Sequence, residues 1–396
     1  MKSRYGGGYY PAPALPEFLI GNECKIMKSI KIDSTEDLGP LFVDNPHKMI
    51  GQDGAFSILM PEKTLWFFGD TLIGRKVPGE SLWFPGGKPL PPEDMSGKGT
   101  IEYMFNNTGL LVPNTGVDGV LNDFQYLLDE SGKLKVLLPL IDGEDRDRDR
   151  IWCQHGVSLN GKLYLSLIKV QMLEHGFLTG SGDGNNLLPV NFKVIGSGLA
   201  VGNPNDWEFR RLLNDKQDYI WWPAYVPHFG STILKVKQDP YLYFYGVMMD
   251  PSGVQCCSIA RVAPEHIEDY NSYEYLVSDK PEWSGDIRKA MTIFTDAPSE
   301  VSVSYNDYLG AFLAVHSLQT SDKIVGRTAP NPWGPWSKPV ELCTVNVDDS
   351  VKLPYNRLIY AGKEHPELAE DNGKTIYVTY VEFEEYFPHL IKVTFK

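Results

Sequence analysis

The chain has 396 residues, 42% hydrophobic and 22% charged, enough to bury a large core as one big β domain or two ordinary ones. Its formal net charge of −14 repels phosphate backbones and anionic bilayers, which excludes nucleic acid and membrane surfaces as partners but does not penalise neutral sugar polymers. No stretch approaches the roughly 18 apolar residues of a membrane span.

Residues 1–22, rich in Gly and Pro, read as an N-terminal extension without the apolar core or cleavage site of a secretory leader. The expected location is cytoplasmic if Met1 is the natural start, and secreted if a leader has been removed. Lys25–Asp33 alternates polar and apolar residues and reads as a strand. Ala55–Met60 and Thr64–Phe68 are strand-length runs joined by Pro61-Glu62-Lys63, a tight hairpin. Antiparallel pairing brings Asp53 and Asp70 to the same rim. A Pro/Gly-rich excursion, Gly79–Gly99, precedes two outer strands, Gly109–Pro113 and Phe124–Leu128. The mixed-charge run Asp142–Arg150 reads as a solvated, self-neutralising loop. The five cysteines follow no metal spacing and read as buried thiols.

From Trp152 the plan of the first hairpin returns. CQHGVSLNGKLYLSLIKV holds two strands around an Asn160-Gly161 turn, and further copies start at PHFGSTILKV, SEVSVSYN and EHPELAED. Each unit is strand, turn, strand, a third strand and a fourth, and the third often carries small residues and Arg (SIARVA, IVGRTA). First strands begin near residues 53, 155, 229, 300 and 366. Four-stranded units at this spacing, with almost no helical periodicity between them, predict an all-β fold: a five-bladed β-propeller forming one domain over residues 23–396. The fifth unit lacks its fourth strand, and Lys25–Asp33 is available to fill it and close the ring. The rival, a β-sandwich with an accessory domain, leaves the matched third and fourth strands unexplained.

In a propeller the inner strands begin at the rim of a central funnel. Those starts carry Asp53, Gln154 and His155, His228 and Phe229, Glu300, and His365 with Glu367; the ends of the second strands add Asp70, His316, Tyr380 and Glu382. Taken singly, each residue has an ordinary structural reading. Acids and histidines recurring at equivalent positions favour a functional funnel. Crowded carboxyls push one another's pKa values apart, as glycoside hydrolysis requires of its acid and its ionised partner. Asp53 is the expected ionised partner and Glu300 the general acid, with Glu367 in reserve. Asp70, Gln154, His155, His228, His316 and His365 would orient sugar hydroxyls, and Trp152 and Trp222 are among the rings available to stack on sugar faces. No cofactor is expected, although the histidines leave room for a structural cation. The expected partner is an oligo- or polysaccharide, bound by a monomer.

The stretches GQDGAFS with LWFFGDT, SEVSVSYN followed by GRTAPNPWGPWS, and YAGKEHPEL resemble the five-bladed propeller family DUF4185, some of whose members are classed as endo-D-arabinanase glycoside hydrolases. The resemblance runs from about Gly51 to the C-terminus. It implies a funnel active site, a furanoside-containing glycan as substrate class, and Asp53, Asp70, Glu300, His365 and Glu367 as site residues. The competing readings are a non-catalytic carbohydrate-binding propeller and a protein-interaction propeller.

Overall fold

The computed structural model describes residues 18–19, 24–25, 27–84, 86, 100–173, 179–180, 187–188, 192–318, 321–347, 353 and 357–396. Most of the 1–22 extension and most of the Gly79–Gly99 excursion lie outside the described residues. The chain is all-β, and its described residues build five antiparallel sheets of four or more strands, each begun by its inner strand. Sheet I holds Ala55–Leu59, Lys63–Phe68, Thr108–Pro113 and Gln125–Tyr126. Sheet II holds Asp149–Leu159, Lys162–Met172, Phe192–Gly202 and Phe209–Arg211. Sheet III runs through His228–Lys235, Leu242–Met249, Gln255–Val262, Glu274–Ser278 and Glu282–Ser284. Sheet IV is Ser302–Asn306, Ala311–Ser317, Lys323–Ala329 and Val340–Thr344. Sheet V is Ile359–Glu364, Thr375–Glu382, Pro388–Phe395 and the N-terminal strand Ile32–Pro40.

The alternation of apolar residues places the core between sheets rather than inside one. Phe56, Leu65 and Phe67 of sheet I pack on Ile151, Leu163 and Leu165 of sheet II. Further clusters join II to III around Trp222 and Phe229, III to IV around Tyr245 and Phe312, and IV to V around Val315 and Val378. Another joins V to I around Tyr377 and Trp66. The inner strand of each sheet lies beside the next, and that of sheet V lies beside that of sheet I. A smaller sheet of Met49–Gln52, Thr71–Gly74 and Ile101–Phe105, not anticipated from the sequence, flanks the first hairpin.

Three expectations are corrected. The N-terminal strand that pairs with Pro388–Phe395 is Ile32–Pro40, not Lys25–Asp33. An outer strand contributes mainly backbone, so the polar IDSTEDLGP suffices, while Met27 and Ile30 pack into the cluster between sheets IV and V. The inner strand of sheet V is Ile359–Glu364, and it ends where the sequence reading began it; Pro366 opens a short 3-10 turn instead. The charged run is not wholly a solvated loop. Glu144 pairs with Lys169 and Arg211 of sheet II, and Arg150 is buried.

Candidate active site

A cleft of about 230 Å³ opens at the heads of the inner strands. Asp53 and Glu300 face it from just before the inner strands of sheets I and IV, with Gln154 and His228 from sheets II and III. Its walls are apolar: Phe56, Trp152, Phe192, Val247, Met248 and Met249. The hairpin register sets Asp53 in place, because Ala55 pairs with Phe68 and the Asp53 amide donates to the Asp70 carbonyl at 2.9 Å. The two aspartates therefore share one rim. Gly54 answers a packing need rather than a substrate's approach: a Cβ there would lie 2.8 Å from that of Ala361. Gly69 is held to hydrogen for Asp53's sake, since its Cβ would meet Asp53 Oδ2 at 2.8 Å.

Asp53 Oδ1 accepts from the Tyr360 hydroxyl at 2.6 Å and from the Gly54 amide at 2.7 Å. Burial pushes its carboxyl above the usual range even so. Burial, then the charge of Asp53, also pushes Glu300 up, opposed by a hydrogen bond from Ser299 and by the charge of Lys363. His228 is driven down to about 4 by burial, so it is neutral at pH 7. Its Nε2, like Gln154 Oε1, has no hydrogen-bond partner among the described residues, which leaves both able to meet a ligand's hydroxyls.

The other expected site residues stand elsewhere. Asp70 is buried beside the cleft, pushed up to about 7 by burial against the opposing field of Arg150. His155 sits deeper on the inner strand of sheet II, its Nδ1 accepting from the Ile233 amide. His365 is enclosed between sheets V and I, stacked on Trp66 at 4.2 Å and hydrogen-bonded to Ser57 and Thr379. Glu367 accompanies it at 3.6 Å, away from the cleft, because both follow the end of the inner strand rather than its start. His316 packs between sheets, Nε2 accepting from Arg327 and Nδ1 bonded to the Ser317 carbonyl. Trp222 is core: fully buried, it donates to the Tyr275 hydroxyl amid Phe229, Phe244 and Tyr273. Of the expected histidines, His228 lines the cleft and His155, His316 and His365 do not. Among the described residues, no group of three or more His, Cys, Asp or Glu is placed to hold a metal ion.

Two residues the sequence reading passed over belong here: Tyr360, which holds Asp53, and Lys363. Both lie in YAGKEHPEL, and the signal was a lysine amid small residues in a strand. A larger cavity of about 600 Å³ lies beside sheet V, but three of its four acids are already committed. Glu384 binds Ser81 and the Leu82 amide, Glu382 pairs with Arg357, and Glu385 with His389.

Sheets arranged as in propellers, with paired acids at the mouth between their inner strands, define the class. The chain belongs to the family described as a domain of unknown function, DUF4185, whose model matches residues 37–392. No curated protein matches the chain. Among solved structures, a candidate hydrolase from Bacteroides ovatus is 15% identical at a TM-score of 0.56, over 90% of this chain and 93% of its own. A family 117 glycoside hydrolase of Zobellia galactanivorans is 9% identical at 0.48, over 91% and 89%. A GH43_1 enzyme from Xanthomonas citri is 12% identical at 0.45, over 90% of each chain. The first of these likenesses shows a shared fold.

Proposed function

We propose that this protein is a glycoside hydrolase acting on a furanoside-containing, arabinan-like glycan at the mouth of a five-bladed propeller closed by Ile32–Pro40. The observation that carries the reading is Asp53 and Glu300 facing one apolar-walled cleft, both with raised carboxyl pKa values. Two carboxyls in one desolvated site share out protonation, one staying ionised while the other keeps its proton. The two hydrogen bonds on Asp53 Oδ1 favour Asp53 as the ionised partner. Glu300, with the Ser299 hydroxyl beside it, is the general acid that protonates the leaving oxygen. Gln154 and His228 orient sugar hydroxyls, and Trp152, edge-on to Phe192 at 5.1 Å, supplies an aromatic wall. The furanoside class rests on the family resemblance.

The test is reducing-end release across a panel of glycans, arabinans first. Release from a furanoside polymer is the expected result. Saturable binding to the same polymers with no release would make the protein a carbohydrate-binding propeller.

A further inference from the structure

On the axis between the inner strands, below the acid pair, lies a lysine. Lys363 is 2% exposed, and its ammonium donates to the main-chain carbonyls of Gln154 and Ser231, each at 3.1 Å. It also sits 4.2 Å from the centre of the Phe56 ring, which lines the cleft. Four inner strands therefore meet at one ammonium: its own, that of sheet I through Phe56, and those of sheets II and III through carbonyls.

The backbone at this level is irregular in a matching way. Pairing slips between Cys153 and His155 in sheet II, between Phe229 and Thr232 in sheet III, and between Tyr360 and Lys363 in sheet V. A bulge takes a residue out of the ladder and re-aims its groups. Here the slips in sheets II and III bracket the two residues whose carbonyls point at Lys363, and the slip in sheet V presents Lys363 itself. The pairing of the inner strands in sheets I and IV, which carry Asp53 and Glu300 at their heads, is regular. A buried ammonium is costly unless partnered. Three coincident irregularities are the construction that partners it.

We infer that Lys363 is the positioning residue of the cleft: a cation built into the chain, fixed on the axis by bulged strands, whose charge acts on the Asp53–Glu300 pair from behind. The inference rests on the proposed hydrolase reading for its catalytic meaning, but not for its electrostatics. The Phe56 ring covers the ammonium from sheet I, and the ionisable groups its charge reaches are His155 on sheet II and Glu300 before sheet IV. Its field opposes the burial of Glu300 and disfavours a charge on His155. Burial in turn pushes Lys363 down to about 7, with Glu300 opposing, so its charge is fully present only below neutral pH.

The experiment follows the Glu300 carboxyl by ¹³C NMR in protein labelled at the glutamate δ-carbon, the signal assigned by its loss in Glu300→Gln. In Lys363→Met, a neutral side chain of similar length, the Glu300 midpoint is expected to rise by about one pH unit or more. In Lys363→Arg it stays near the wild-type value. A midpoint unmoved in a folded Lys363→Met overturns the inference. Should Lys363→Met not fold, ¹⁵N NMR of the lysine side chains in the wild type decides. Lys363 charged at pH 6 and losing its proton near pH 7 supports the inference, and Lys363 already neutral at pH 6 overturns it. These titrations need no substrate. A shifted Glu300 in a protein that cleaves no glycan would leave the electrostatic role standing and sink the hydrolase reading alone.

Discussion

Tyr360 illustrates how much one hydroxyl decides at this site. Its bond to Asp53 Oδ1 stabilises the ionised carboxylate against burial. If Asp53 works ionised, activity falls as pH drops through its pKa. Tyr360→Phe then raises that pKa and moves the acid limb of the kcat/KM profile upward, by about one pH unit. An unmoved limb would mean that Asp53 is not the ionised partner. His316 makes the opposite point. Its Nε2 accepts from the Arg327 guanidinium, a bond that requires an unprotonated nitrogen, and burial drives its pKa down to about 4. Residue type alone, read at the end of a strand, does not distinguish this inter-sheet histidine from a ligand-facing one. Asp53 was legible because antiparallel pairing fixes which ends of a hairpin meet. Trp222 was not, because a Trp221-Trp222 pair gives no sign of which ring is buried, and here both are.

At the scale of elements, the first hairpin of sheet I was readable almost to the residue because its two strands are apolar runs separated by a turn. Sheet V was not. Ala361 has φ 55, so the inner strand is bulged and its Ala-Gly pair reads as a turn, whereas His365-Pro366 reads as a strand start. That one displacement sent His365 and Glu367 to the wrong end of the strand and hid Tyr360 and Lys363. The N-terminal strand gives a direct test of edge protection. Removing residues 1–26 leaves Met27, Ile30 and Ile32–Pro40 in place, and the melting temperature is expected to stay within a few degrees of the full chain's. Removing residues 1–40 strips the partner from Pro388–Phe395 and exposes a strand edge. Loss of cooperative melting or self-association in the shorter chain is the expected outcome, and an unchanged monomeric melt would count against the closed arrangement.

Over the whole molecule, ionisable groups buried among the inner strands tie stability to pH. Glu364, hydrogen-bonded by Ser304 at 2.7 Å, is pushed up to about 7 by burial, with Glu367 adding to the shift. Between its ordinary pKa and about 7 the folded protein holds a proton that the unfolded chain has released. Wild-type stability therefore loses Glu364's contribution as pH rises across that window. Glu364→Gln keeps an acceptor for Ser304 but does not titrate. Its stability relative to wild type is expected to grow by about 3 kcal/mol between pH 4.5 and 7. Denaturant melts at the two pH values check this, and a pH-independent difference would place Glu364 outside the titrating set.

The central claim is that Asp53 and Glu300 act as a pair across one cleft. It is tested most directly by turnover of Asp53→Asn, Glu300→Gln and Glu367→Gln on a glycan that the wild type cleaves, each variant first shown to melt like the wild type. The first two are expected to lose about 10²- to 10⁴-fold in kcat, while Glu367→Gln, whose carboxyl lies with His365 away from the cleft, stays within a few-fold of wild type. Full activity in Glu300→Gln with loss in Glu367→Gln would contradict the claim.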